Sequence, residues 1–371
     1  MPFPTPFHAD SSATTAGSGA IAPHLARPIA LTMGDACGIG PEILAMLWRT
    51  GSAQGCVVLG DVGVMRRAVA LTGGGLAVAQ LSEPVDALAA PPACLMVLPV
   101  EGVPADLLDA PLGQVDARAG RAAAACIEAA ARLAREGMVG AIVTAPVHKQ
   151  ALALAGVPYP GHTEMLQALA VPGGPMPPVR MMLANDELRT VLVTIHMALR
   201  DAITAVTFDA VLETIRIAHR AAACWGQPRP RIAVAGLNPH AGEGGLFGDE
   251  EQRFIAPAIQ AAQRDGIDAS GPYAPDTVFM RARHAPAPAG APSAAPFHTG
   301  EFDLVIAMTH DHGLIPVKYL GVEAGVNVTL GLPFVRTSPD HGTAFDIAGS
   351  GRADASSLRA ALRMARRLAA V

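Results

Sequence analysis

The chain has 371 residues, of which 51% are hydrophobic and 16% charged, and its formal net charge is -5. That length suggests two domains rather than one, and the apolar content supplies a large core. No long basic block is present, so a nucleic-acid surface is excluded, although a few local Arg or Lys residues suffice for a small anionic substrate.

The five cysteines, Cys37, Cys56, Cys94, Cys126 and Cys224, are odd in number and never form a CxxC pair. They read as reduced thiols of a cytoplasmic protein, not as a disulfide frame or a Cys-rich zinc site. No apolar run is long and unbroken enough to span a bilayer. Residues 1–27 lack a basic start and an apolar h-region, and their Pro, Ser, Thr, Ala and Gly content predicts a disordered tail.

From Arg27 onward, short apolar runs alternate with helical stretches. "PIALTMG", "GCVVLGD", "ACLMVLPV" and "GAIVTAPV" read as strands bounded by Gly or Pro. "ARAGRAAAACIEAAARLAREG" lies between the last two as an amphipathic helix. In the middle, "PVRMMLANDELRTVLVTIHMALRDA" predicts two strands joined by the turn residues Asn185 and Asp186. A helix over Phe208 to Cys224, a strand "RIAVAGLNPH" and a helix through "DEEQRFIAPAIQAAQRDG" follow. A Pro- and Ala-rich insert near 284–300 cannot build core and reads as a surface loop. The strand "FDLVIAMTH" resumes the pattern, ending before a turn at Gly313, and "DASSLRAALRMARRLAAV" closes the chain as a helix. The alternation predicts an α/β fold with a largely parallel sheet.

Three of the 12 histidines share a position: His196, His240 and His310 each stand where an apolar run breaks into a loop. Ligand sites of α/β folds gather at the carboxyl ends of strands. Three imidazoles delivered there could form a divalent-metal site with open positions; the alternative is that they cap strand ends in solvent. "GLNPHAGEGGLFGDEE" bends its backbone closely around something, or is an ordinary flexible loop. In "LTMGDACGIGPEI", Gly38 and Gly40 permit close approach and Pro41 suits a first helical turn. This is not GxGxxG, so a conventional dinucleotide fingerprint is absent. His162, Thr163 and Glu164 could bind substrate, or Thr163 could cap a helix. Arg336 suits a carboxylate or phosphate in bidentate geometry, and Lys318 an anion, or a base if desolvated.

Taken together, "GDACGIGPE", "TAPVHK", "GHTE", "GLNPHAGEGG", "HDHGLIPVK" and "GVNVTLGLPFVRTSPDHGTA" resemble the 4-hydroxythreonine-4-phosphate dehydrogenase family of pyridoxal phosphate biosynthesis. More broadly, the GIGPE loop and the loop "HGTAFDIAG" resemble isocitrate and isopropylmalate dehydrogenases. The resemblance implies a two-domain α/β/α sandwich of that type, with the active site in the interdomain cleft at a homodimer interface. The cofactor side would comprise 28–150 plus about 312–371, and the substrate and dimerisation side about 151–311. It implies NAD or NADP as hydride acceptor and a divalent metal (Zn, Mg or Co) on His196, His240 and His310, the third supplied by the partner subunit. Substrate residues would be His162, Thr163, Lys318, Asn327 and Arg336, and the cofactor's adenosine end would lie along His341, Gly342, Thr343, Ala344, Asp346, Ile347 and Ala348. Lys318, Asp311 and His162 are candidates for the base, with Asp311 orienting the metal site.

Departures from the family pattern fall at His312, where Gln is usual, and in "MGDACGIGPE" and "TIHMALRD". They suit a paralogue acting on phospho-D-threonate, phospho-D-erythronate or a dihydrodiol carboxylate. Two further classes stand beside this one. A metal-dependent hydrolase would need metal and no nicotinamide cofactor, and a binding protein would show no turnover.

Overall fold

The computed structural model describes residues 27–223, 226–284 and 300–369. Residues 1–26, the body of the Pro/Ala insert and Cys224 lie outside them. The described strands are β1 Ile29–Thr32, β2 Cys56–Gly60, β3 Ala77–Gln80, β4 Cys94–Pro99, β5 Ala141–Thr144 and β6 Arg180–Ala184. They continue as β7 Arg189–Leu192, β8 Ile232–Ala235, β9 Ala269–Tyr273, β10 Leu304–Ala307, β11 Val326–Leu330 and β12 Arg336–Pro339. All belong to one sheet in the order β3-β4-β2-β1-β5-β12-β11-β6-β7-β10-β8-β9. Pairing is parallel except where β11 meets β12 and β6 and where β6 meets β7.

Alternate residues of a strand point to opposite faces, and here they enter different cores. In β1, Ile29 and Leu31 pack with Ile43, Leu44 and Leu47 of the helix Gly40–Arg49 and with Leu358 and Leu362 of the helix Ser356–Ala369. Ala30, facing the other way, packs with Ala123, Ile127 and Ala130 of the helix Ala117–Arg135. In β8, Ile232 and Val234 meet Ile215 and Ala218 of the helix Phe208–Ala223, while Ala233 and Ala235 share a core with Leu314 and Val317 of the helix His310–Tyr319. Helices therefore cover both faces, giving the expected α/β sandwich. Each fully buried Leu or Ile contributes about 1.5–3 kcal/mol relative to exposure.

The expected hairpin forms: the Asn185 side-chain oxygen accepts the Glu187 and Leu188 N–H groups, each at 2.8 Å, and turns the chain from β6 into β7. Three expectations change. β7 ends at Leu192, so His196 stands in a loop four residues beyond the strand. The stretch 249–266 opens with a wide π turn, Glu251–Ile255, before the α-helix Ala256–Arg264. Gly313 is not a turn but lies inside the helix His310–Tyr319, which continues through Pro316. A side chain at Gly313 would strike Leu192, and its carbonyl accepts the Thr190 hydroxyl at 2.9 Å. Smallness for helix-on-strand contact is the reason for that glycine.

Among the described residues, no helix is long and apolar enough to cross a membrane. Cys37, Cys56, Cys94 and Cys126 are free and buried. Burial pushes the thiols of Cys37 and Cys126 up to about 12, so they are not nucleophiles.

Candidate active site

The centre of the sheet places an arginine where none could stand unaided. Arg336 opens β12 opposite Ile142 of β5, and Asn327 of β11 lies opposite Ser338. With a side-chain period of two, Arg336, Thr144, Asn327 and Thr329 all share one face. Arg336 is 3% exposed. Its Nε and Nη2 donate to Thr144 Oγ1 at 3.2 and 2.7 Å, and its Nη1 donates to Thr329 Oγ1 at 3.0 Å. Burial pulls its pKa down to about 10, opposed by the charge of Glu164. Two hydroxyls do not neutralise a buried guanidinium, and its remaining N–H groups suit an anionic ligand.

His162 begins the helix His162–Ala170, capped by Gly161, so Thr163 is the second helical residue and not the cap. Burial, then the Arg336 charge, holds the imidazole well below its ordinary pKa, with a backbone hydrogen bond to Ala145 acting the other way. Its Nε2 is buried with no partner among the described residues. A neutral imidazole with one unused nitrogen therefore faces the same region as Arg336.

His196 and His310 come together: their ring centroids are 5.4 Å apart and the rings are tilted by 49°. His310 Nδ1 lies 2.8 Å from Asp311 Oδ1, an arrangement that leaves Nε2 for another partner. Burial lowers the His196 pKa, as do the charges of His310 and Lys149, while Glu164 and Asp340 oppose them. Asp340 Oδ2 in turn lies 2.7 Å from Lys318 Nζ. Electrostatic contacts thus link Arg336, His162, Glu164, His196, Lys149, Asp340 and Lys318 into one cluster.

His240 does not join it. Among the described residues, no three His, Cys, Asp or Glu side chains gather as a metal site. His240 packs beside Phe247, centroids 6.2 Å apart, and lines a groove of about 560 Å³ with Asp276, Asp311, His312, Ile315 and Tyr319. Within one chain, two of the three expected imidazoles stand together and the third stands apart from them.

The turn that carries His240 is unusual. His240, Ala241, Gly242, Glu243 and Gly244 have successive φ values of 53°, 52°, 79°, 43° and 66°, in the left-handed region. For the three non-glycine residues this costs about 1–2 kcal/mol each, so the surrounding structure must impose it.

The loop expected to hold the cofactor's adenosine end docks on the GIGPE segment. Ile39 N–H donates to the Thr343 carbonyl at 3.0 Å, and Gly38 leaves room for Thr343: a Cβ there would lie 2.9 Å from the Thr343 oxygen. Thr343 is buried, whereas His341, Gly342 and Asp346 are exposed, and Ala344, Ile347 and Ala348 are half-buried. Phe345 stacks on His148, centroids 4.8 Å apart. The buried carboxyl of Asp35, beside His148, is raised to about 6 by desolvation against opposing hydrogen bonds from Cys37 and His148.

Asp35, His148, Lys149 and Glu251 received no role from the sequence. "TAPVHK" held the available signal: a strand end followed directly by His148 and Lys149. Glu251 gave none, because one acidic residue in "GDEE" looks like any solvated helix start.

A largely parallel α/β sandwich with a buried arginine, paired histidines and a docked 341–348 loop has the make-up of a small-molecule enzyme, and the comparisons with known proteins give its class as a dehydrogenase. The model of the family "Pyridoxal phosphate biosynthetic protein PdxA" matches residues 52–365, and the chain belongs to that family, whose enzymes are dehydrogenases. It is 53% identical over 346 residues to 4-hydroxythreonine-4-phosphate dehydrogenase of Beijerinckia indica, covering 93% of this chain and 96% of that one. It is 42% identical over 356 residues to D-threonate 4-phosphate dehydrogenase of Pectobacterium atrosepticum, covering 93% and 100%. Among solved structures, 4-hydroxythreonine-4-phosphate dehydrogenase of Klebsiella pneumoniae superposes with a TM-score of 0.83 at 41% identity, covering 94% of this chain and 100% of that one.

Proposed function

We propose that this chain oxidises the secondary hydroxyl of 4-phosphohydroxy-L-threonine with NAD or NADP and a divalent metal. The resulting β-keto acid then loses CO2 to give 3-amino-2-oxopropyl phosphate, a step of pyridoxal phosphate biosynthesis. The observation that carries this reading is Arg336, a buried guanidinium with spare donors close to His162 and Glu164, the latter acting in turn on His196. Relatives across nearly the whole chain bear that activity's name.

A bound divalent ion (Zn, Mg or Co) would lower the pKa of the substrate hydroxyl and stabilise the enolate after decarboxylation, and a nicotinamide ring would accept the hydride. The chain's own groups do the rest. Arg336 holds an anionic end of the substrate, with Asn327 and Thr163 as polar contacts, and Lys318 either holds the other end as its ammonium or, as the neutral amine, serves as the base. His162 stays neutral beside Arg336 and hydrogen-bonds the substrate through Nε2 rather than gathering a second charge there. Proton acceptance falls to Lys318 or Asp311. Residues 341–348 line the adenosine end of the cofactor.

His196 and His310 would hold the ion from one protomer, so the imidazole missing from their cluster, His240, comes from a second copy. That reading makes the homodimer the functional unit and changes which histidine crosses the interface from the third to the second in the chain. It also accounts for the groove at His240, whose rim exposes Met280, Ile315 and Tyr319. The division into a cofactor side and a substrate side, and a cytoplasmic location, belong to the same reading.

NADH formation with 4-phosphohydroxy-L-threonine, with and without a chelator, tests the assignment. Metal-dependent turnover supports it. A second reading, favoured by the D-threonate 4-phosphate dehydrogenase relative, predicts turnover of phospho-D-threonate alone. Failure to reduce NAD or NADP with either compound removes both.

A further inference from the structure

The left-handed turn at His240 is bound to one buried carboxylate. Glu251 is 3% exposed. Its Oε1 accepts the backbone N–H groups of Leu237 and Asn238, each at 2.7 Å, and its Oε2 accepts Asn238 Nδ2 at 2.9 Å. No Lys or Arg is among these partners. The burial cost of the charge is therefore offset by donors from the two residues just ahead of Pro239 and His240, and those donors fix that stretch of backbone.

The turn closes around the same group. A Cβ built at Gly242 would lie 2.8 Å from Glu251 Oε2, and one at Gly236 would lie 3.0 Å from Glu251 Oε1. Glu251 is also the first residue of the π turn Glu251–Ile255, a wide turn that recurs at functional sites. Two rare backbone conformations, one strained and one wide, meet at a single carboxylate. A loop needed only to connect β8 to the next helix requires neither.

We propose that Glu251 is the positioning residue of the second histidine: it holds the turn 236–248 so that His240 is delivered in a fixed place to the shared metal site. Glu251 touches neither metal nor substrate. It acts through backbone, and the inference rests on the metal-dependent reading of His240.

The test is zinc titrated calorimetrically into the full-length, chelator-stripped protein, at a temperature below the melting point of every variant. Glu251→Ala is expected to weaken zinc binding about 10–100-fold, the range for groups that orient a ligand from behind. Glu251→Gln keeps a carbonyl for the two backbone donors and is expected to lose less, and it carries the test if the alanine variant fails to fold. NAD affinity, read in the same samples, should not move. Zinc affinity equal to wild type in Glu251→Gln and Glu251→Ala, with only a lower melting temperature, would overturn the inference and leave Glu251 a stabilising residue. A His240→Ala protein that binds zinc like wild type would instead remove the metal reading itself, and the inference with it.

Discussion

Glu42 and Gly349, 307 positions apart in the chain, are joined by a hydrogen bond of 2.6 Å from the Gly349 N–H to Glu42 Oε1. Glu42 Oε2 accepts the Gly351 N–H at 2.9 Å, and the side chain is 2% exposed. One carboxylate in the GIGPE segment thus clasps the end of the loop assigned to the cofactor. Glu42→Ala leaves both donors unsatisfied and is expected to cost about 1–3 kcal/mol of stability. Its larger effect should be on KM for the dinucleotide, about 10-fold or more upward, with KM for the phosphorylated substrate little changed. Initial rates against both substrates check this; equal shifts in the two constants would detach the loop from the cofactor.

Arg336→Lys keeps the charge and removes the fork. In a site 3% exposed, a compact ammonium cannot bond Thr144, Thr329 and an anion together. The expected loss in kcat/KM is about 100-fold or more, roughly 3 kcal/mol of transition-state stabilisation. Arg336→Ala should be worse, since it also strands two hydroxyls. A lysine variant with undiminished kcat/KM would mean that the anion is held elsewhere.

Much of the site was legible because its residues sit in long motifs at the ends of strongly apolar runs. Strand alternation in "NVTLGLPFVRTSP" already places Asn327 and Thr329 on one face, though not the hydrogen bond from Arg336 to Thr144, 192 residues away. The helix His310–Tyr319 was missed because Gly313 and Pro316 are local breakers; contact with Leu192 and Thr190 overrides propensity there. Glu251 was illegible for a related reason. Its partners are backbone N–H groups, which no sequence pattern marks.

Asp311 is exposed, yet its Oδ1 lies 2.8 Å from His310 Nδ1 and fixes how that ring stands. Asp311→Asn is expected to weaken metal binding about 10-fold through loss of orientation. If Asp311 were the base, kcat would fall far more than metal affinity, by about 100-fold or more. Metal titration and saturating turnover on the same protein separate the two roles. If neither changes, the contact is incidental.

Asp35 supplies a test that depends on pH and on neither metal nor cofactor. Burial raises its carboxyl from 3.8 to about 6, so the folded state holds a proton that the unfolded state has released. Its favourable contribution is full below about pH 4 and is lost as pH rises through 6. Two pH units amount to about 3 kcal/mol of penalty at neutral pH. Asn at this position keeps an oxygen for the Cys37 N–H, which now reaches Asp35 Oδ1 at 2.8 Å, and cannot ionise. The lowered histidines, His162, His196, His284 and His312, cost stability below about pH 6.5 in both proteins and cancel in the comparison. The stability of Asp35→Asn relative to wild type should therefore climb between pH 4 and pH 7 and level off above. Denaturant unfolding at several pH values reads this directly. A difference that stays flat across that range would mean that Asp35 is ionised without penalty, and that His148 or a neighbour compensates its charge.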